Sequence, residues 1–170
     1  MQIRKATPND IYNLAVLKQQ VWIATYAEEG IRTELSKYVL SEFTIENIRK
    51  TIQDTSRVML IAETGSHLVG CIEIALNEKS PVKLEVDYPE IAVLYVLERF
   101  KGKGAGKMLL EKAIQNIKNL GHNAVWLTVY YKNHKALEFY LRNGFKSIGS
   151  TYFVMDGNRY KNDVMLKQLC

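Results

Sequence analysis

The sequence predicts a mixed α+β fold, and three observations carry that reading. Apolar residues alternate or cluster in short strand-like runs near the start, the middle and the end of the chain. Between these lie segments whose apolar residues recur with the helical period. From residue 90 onward the pattern becomes strand, glycines, helix, strand, helix and two closing strands. The predicted order is β, α, α, a β-hairpin, then βαβαββ. With 170 residues and no linker, repeat or low-complexity tract, residues 1–170 read as a single domain.

Residues 2–6 alternate as a short strand. Thr7-Pro8-Asn9-Asp10 opens a helix: threonine suits the N-cap, proline is tolerated in the first turn, and Asp10 complements the positive dipole end. Ile11, Leu14, Leu17, Val21 and Trp22 follow at helical spacing, so the helix is expected to reach about Tyr26. A mixed segment with Glu28, Glu29, Gly30 and Glu34 comes next, and Thr44-Ile45-Glu46 opens a second helix. Val58–Glu63 and Leu68–Leu76 flank a Gly65-containing gap and read as a hairpin. Residues 78–89 are polar, hold two of the three prolines, and read as loop.

Glu90–Leu97 is strand-like, and Ala105–Leu120 carries one apolar stripe through Leu109, Leu110, Ala113, Ile114 and Ile117. Ala124–Tyr130 reads as a strand buried on both faces, and Asn133–Asn143 as a helix ended by Gly144. Asp156-Gly157 is a tight-turn signal between strands at Ser150–Met155 and Asp163–Leu169.

Composition excludes several classes. At 47% hydrophobic and 24% charged, the chain is neither disordered nor membrane-like. The longest apolar run, Ile91–Leu97, is far short of the roughly 20 residues of a spanning helix. Residues 1–5 turn polar at once, with no secretory signal core. A cytoplasmic location is therefore expected. The two cysteines and three scattered histidines offer no zinc spacing, so no metal is expected, and Cys71 reads as core filling. The charge of +5 is spread along the chain, without a basic run with interleaved aromatics. Nucleic acid and membrane are not expected partners; a small molecule is, with a homodimer as the assembly to consider.

Lys101-Gly102-Lys103-Gly104-Ala105-Gly106-Lys107 joins a buried strand to an amphipathic helix. Glycines let a backbone curl at positive φ and approach a ligand closely. The amide N–H groups at the helix start then converge where the dipole adds positive potential, and a diphosphate fits such a place. A P-loop is excluded, because Lys101 stands where its first glycine belongs and Met108 where its Ser or Thr belongs. The dinucleotide fingerprint fails too, its third glycine falling on Lys107 or Leu109. Taken alone, the loop is also compatible with a plain glycine turn bearing solvated lysines. Asn133 suits an N-cap, and Tyr140, seven residues on, lies on the same side of its helix. Tyr140 alone reads equally as a core tyrosine.

Together, Leu94 to Lys107 and Asn133…Ala136…Phe139-Tyr140…Gly144-Phe145 resemble the GCN5-related N-acetyltransferase (GNAT) family. The family loop, Gln or Arg, two residues, Gly, one residue, then Gly or Ala, is matched by Gly104 and Gly106, with Lys101 at the first place. The resemblance covers roughly residues 55–153 well and the N-terminal helices loosely. It implies a mostly antiparallel central sheet flanked by helices, with acetyl-CoA as cosubstrate. It further implies that the backbone of Leu94, Tyr95 and Val96 pairs with the pantetheine arm and that residues 101–107 hold the pyrophosphate. Asn133 would bond the cofactor arm, Tyr140 would be the general acid at the thioester sulfur, and the Val96 N–H would stabilise the oxyanion.

Glu90 is the candidate base, sharing a strand face with Ala92, Leu94 and Val96; a second glutamate common in relatives is Ala92 here. The acceptor wall would come from the N-terminal helices, through Trp22, Tyr26 and Glu28, with Glu29, Glu34 and Tyr38 beside them. Aromatic and acidic together, these suit a cationic amine. The chain also resembles the bacterial spermidine/spermine acetyltransferase branch, which implies a polyamine or other small amine. Alternatives are a protein N-terminus or lysine as acceptor, a CoA-binding module without turnover, and a basic nucleic-acid-binding domain.

Overall fold

The computed structural model describes residues 1–169. Its strands are β1 (Gln2–Lys5), β2 (Arg57–Thr64), β3 (His67–Ala75), β4 (Glu90–Val96), β5 (Ala124–Tyr130), β6 (Lys146–Met155) and β7 (Asn158–Gln168). Its helices are α1 (Ile11–Tyr26), α2 (Thr33–Glu42), α3 (Ile45–Gln53), α4 (Ala105–Asn119) and α5 (His134–Arg142). The strands form a seven-stranded, mostly antiparallel sheet in the order β1-β2-β3-β4-β5-β7-β6, a mixed α+β architecture as expected. No helix among the described residues is long and apolar enough to cross a membrane.

The fold resolves into two compact units. The first comprises Met1–Ile74 and Val93–Ala113, the second Ala75–Ala92 and the chain from Ile114 onward.

In the first unit, α1 lies on the sheet. Leu14, Ala15, Leu17 and Val21 pack with Ile48 of α3, Met59 and Ile61 of β2, and Cys71 of β3. Fully burying each such Leu or Ile contributes about 1.5–3 kcal/mol, which fixes the face that α1 turns inward. Its entry is set by Asp10, which accepts from the backbone and hydroxyl of Thr7 at 2.7 and 2.9 Å. Arg4 clamps both Asp10 oxygens at 2.8 Å, and its hydrogen bonds hold that carboxyl at about 2. At α3, Thr44 caps as its sequence suggests, accepting from Asn47 N at 3.1 Å.

The mixed segment expected after α1 is corrected: Thr33–Glu42 is a helix, so three helices, not two, precede β2. Only Leu35 and Val39 of α2 are fully buried, a four-residue spacing hidden among charged neighbours.

Between β3 and β4, Gly70 permits a close approach. A Cβ there would stand 2.8 Å from the Tyr95 carbonyl oxygen and 3.2 Å from Leu109 and Val96 side-chain atoms.

In the second unit, β5 pairs antiparallel with β7 from Ala124↔Gln168 to Tyr130↔Asn162, and β6 with β7 over nearly their full length. The Asp156-Gly157 turn has φ values of +46° and +83°, the paired positive torsions of a tight hairpin. Both hairpin strands begin four or five residues earlier than expected, because their polar first halves still complete the backbone ladder. Glu90 pairs in parallel register with Trp126, whose indole N–H donates to Tyr88 O at 2.8 Å.

Candidate active site

In the first unit, the turn before α4 is built as its glycines require. Gly102 and Gly104 have φ of +74° and +88°, left-handed values that cost a side-chain-bearing residue about 1–3 kcal/mol. An added Cβ at either position would meet nothing within 4 Å, so the protein leaves room over this backbone. The first α4 bond runs from Met108 N to Gly104 O at 3.0 Å. Helix geometry therefore leaves the N–H groups of Ala105, Gly106 and Lys107 without intrahelical acceptors. Three convergent donors on a helix dipole suit an anion.

The lysines contribute less than their number suggests. Lys101 pairs with Glu98 at 2.5 Å, Lys103 lies 5.2 Å from the Phe100 ring centroid, and Lys107 is 3.8 Å from Glu111. Two of three are partly neutralised by neighbours on their own chain segment.

Leu97 N donates to Val69 O at 3.0 Å, so the N–H groups at odd positions of β4 face β3. Those of Leu94 and Val96 point along the opposite edge. Val93, Tyr95 and Leu97 side chains pack on the α1 core, and Val96 turns to the other face, toward Leu109.

The predicted acceptor residues gather partly. Trp22 is 7% exposed, covered by Tyr38 (centroids 4.3 Å apart, stacked) and by Tyr26 (4.5 Å, tilted), with Phe43 5.8 Å away. Its N–H donates to the Tyr95 hydroxyl oxygen at 2.7 Å. Tyr26 and Tyr38 stay partly exposed, whereas Glu28 lies in the solvent past the end of α1. Burial, then the charge of Glu42, pushes the Tyr38 phenol above its ordinary range. Burial does the same to Tyr95, against the smaller pull of the Trp22 N–H. Sequence reasoning named Tyr95 for its backbone and missed this hydroxyl; its partner is 73 positions away, and no local pattern marks it. Cys71 is fully buried, its thiol pushed up to about 12 by burial, as befits a core side chain.

In the second unit, Asn133 caps α5, its Oδ1 accepting from Ala136 N at 3.1 Å. Oδ1 therefore points into the helix, and the amide nitrogen is left as a donor for an outside acceptor. Tyr140 is 8% exposed, its ring edge-on to Phe139 and Phe145 at 5.3 and 5.5 Å. Burial alone raises its phenol above the ordinary range. Among the described residues none hydrogen-bonds its hydroxyl. α5 ends as predicted: Phe145 N and Asn143 N both donate to Tyr140 O at 3.1 Å, across Gly144 at φ +84°. Glu90, half-buried, stands at the head of β4.

Chemically, the first unit offers backbone donors for an anion, a strand edge for an extended ligand and a stacked aromatic wall. The second offers a neutral phenol, an amide donor and a carboxylate.

The sequence model of the acetyltransferase (GNAT) family matches residues 22–145. The spermidine N(1)-acetyltransferase of Thermoplasma acidophilum is 28% identical over 150 residues, 86% of this chain and 88% of the relative. An uncharacterised N-acetyltransferase of Chlorobaculum tepidum is 34% identical over 128 residues, 75% of this chain and 67% of the relative. Among solved structures, the PaiA N-acetyltransferase of Thermoplasma acidophilum in complex with coenzyme A superposes with a TM-score of 0.78 at 24% identity, covering 98% of both chains.

Proposed function

The chain belongs to the acetyltransferase (GNAT) family, and from that membership we propose that it is a cytoplasmic enzyme acetylating a small primary amine, a polyamine first among the candidates. The family makes it an acetyl-CoA-dependent N-acetyltransferase; what is proposed is the acceptor and the role of each residue. The observation that carries the acceptor is the aromatic wall of Tyr26, Trp22 and Tyr38, in the part of the chain that also bears Glu28, Glu34 and Glu42. π-Faces and carboxylates attract an alkylammonium, each exposed contact adding about 0.5–1 kcal/mol. The spermidine-acetylating Thermoplasma relative supports the same choice.

In this reading the 101–107 loop holds the cofactor's pyrophosphate, chiefly through the N–H groups of Ala105, Gly106 and Lys107. The outward N–H and C=O groups of Leu94–Val96 pair with the pantetheine amides as an added strand would. Asn133 donates its amide hydrogen to a carbonyl of the same arm. The amine must first lose a proton, and Glu90 takes it, directly or through a water. The neutral nitrogen attacks the thioester carbon, and the Val96 N–H stabilises the oxyanion. As the tetrahedral adduct collapses, the C–S bond breaks and the thiolate takes a proton from Tyr140, while the second proton shed by the attacking nitrogen leaves through solvent and restores the phenol.

The last step sets a requirement. A free thiol has a pKa of about 8.5, and the Tyr140 phenol is held above the ordinary phenol value of about 10. Full transfer to a solvated thiolate is therefore uphill by about 2 kcal/mol or more. The same burial that raises the phenol also destabilises a thiolate beside it. Tyr140 thus acts as a hydrogen-bond donor early in C–S cleavage, and its proton passes over as sulfur charge builds.

A thiol-release assay with acetyl-CoA tests the proposal across spermidine, spermine, aminoglycosides and peptides with free N-termini. The expected result is a kcat/KM for a polyamine at least tenfold above that of any peptide. Turnover of peptides with inert polyamines would overturn the acceptor, and binding of acetyl-CoA without release on any amine would overturn catalysis.

A further inference from the structure

The first unit contains a second concave feature apart from the glycine turn and the aromatic stack. It is a cleft of about 460 Å³ whose floor carries Lys18 of α1, Glu73 of β3 and Arg57 of β2. Charges so deep are uncommon and call for a reason. Lys18 and Glu73 side chains are each 6% exposed, and Arg57 is 27% exposed. Lys18 Nζ donates to Glu73 Oε2 at 3.0 Å, and Arg57 Nη1 to Glu73 Oε1 at 2.5 Å. Burial pushes the Glu73 carboxyl up, but the two cations outweigh it and hold it below its ordinary value.

Both Glu73 oxygens are thus engaged, while a lysine ammonium has three hydrogens to donate. Lys18 lines the cleft, and no second acceptor for it occurs among the described residues. The floor holds two positive charges and one negative.

The other charged lining groups are Lys50, Glu42 and Asp54. Lys50, 69% exposed beside Glu46, and exposed Glu42 sit at the mouth, whereas Asp54, 42% exposed and bonded to Ser56, also pairs with Arg57 Nε at 3.7 Å. In water the Lys50 and Glu42 charges are felt about a quarter as strongly as charges at a protein wall, and they are of opposite sign. Asp54 and Glu73 share the Arg57 charge, so Lys18, with its spare hydrogens, decides the sign.

We propose that this cleft is a binding site for a small anion bearing a carboxylate or phosphate group, seated on Lys18 and Arg57 with its apolar part against Phe43 and Ile48. The volume lies in the range of small-molecule sites. Phe43 is a shared wall, since its ring also packs against the Trp22 and Tyr38 rings.

The test uses enzyme saturated with acetyl-CoA, so that the glycine turn is already filled. Thermal unfolding and calorimetric titration are followed with inorganic phosphate and, separately, with succinate, at ionic strength held constant with chloride. A saturable rise in Tm with one or both probes is expected, and which probe acts identifies the anion class. Lys18→Gln removes the floor cation that has spare hydrogens and should weaken probe binding at least tenfold. Glu73→Gln removes one negative charge from between the two cations and should tighten it several-fold. Lys50→Gln, at the mouth, should change affinity less than threefold and serves as the folding control. A triad that only holds the fold together lowers Tm in the first two variants without splitting their anion response. No saturable effect of either probe on the wild type, or equal affinity in Lys18→Gln and Glu73→Gln, would overturn the proposal.

Discussion

The starts of α4 and α5 are built on opposite plans. Before α4 the groups proposed to bind are backbone: glycines at positive φ, open space above them, and three amide N–H groups at the helix start, with lysines that are partly neutralised. At α5 the groups proposed to act are side chains: the Asn133 amide nitrogen, left over after Oδ1 caps the helix, and the Tyr140 hydroxyl. A backbone site is encoded by what is missing from its residues and tolerates exchange of its remaining side chains. A side-chain site is encoded by single atoms and tolerates almost nothing.

Substitutions can break or sharpen this contrast. The largest expected effect is Tyr140→Phe, which removes one oxygen: kcat should fall about a hundredfold, the low end for a lost proton donor, with acetyl-CoA affinity within twofold. Unchanged kcat would take Tyr140 out of the chemistry. Because burial raises this phenol, wild-type kcat should show no descending alkaline limb below about pH 10, its ordinary value. A pH–rate profile falling near pH 8 would contradict that.

Gly104→Val should act the other way, raising the acetyl-CoA dissociation constant about 10- to 50-fold by calorimetry. A β-branched residue strains φ +88° and projects into the open space, where its Cβ has no protein atom within 4 Å. A loss of Tm with intact affinity would mean the glycine serves the turn alone.

Asn133 can be divided between its two duties. Asn133→Ala should cost about 1 kcal/mol of stability through the lost cap and also raise the acetyl-CoA KM about five- to tenfold. Asn133→Asp keeps a capping oxygen but offers no hydrogen, so stability should return while KM stays high. If KM recovers with the cap, the donor role fails.

The smallest effects are expected at the lysines. Lys101→Gln or Lys107→Gln should weaken acetyl-CoA binding only about two- to threefold, the scale of exposed pairs, and the difference should fade at high salt. A tenfold loss at either would return the site to side-chain control.

What could be read from the sequence follows the range of each interaction. α4 declared itself by a continuous apolar stripe, the closing hairpin by Asp156-Gly157, and α5 by its cap and terminal glycine. All are local. α2 stayed hidden because two buried residues, Leu35 and Val39, give too little periodicity among charged neighbours. The Trp22–Tyr95 and Lys18–Glu73 bonds join residues 73 and 55 positions apart, and no spacing rule reaches that far. One clue was present: Glu73 stands in the apolar run Cys71-Ile72-Glu73-Ile74, and a carboxylate there has to find a cation. Its partner could be named only from the folded chain.

Gly70 touches neither of the proposed ligands, yet the carbonyl of Tyr95 rests against the place its methyl would fill. One carbon added at residue 70 would displace the peptide that joins Tyr95 to the Val96 amide, and with it the hydrogen proposed to stabilise the oxyanion. Reshaping this enzyme for bulkier acyl donors therefore has a lever in the neighbouring strand, one that a search confined to cavity-lining positions would pass over.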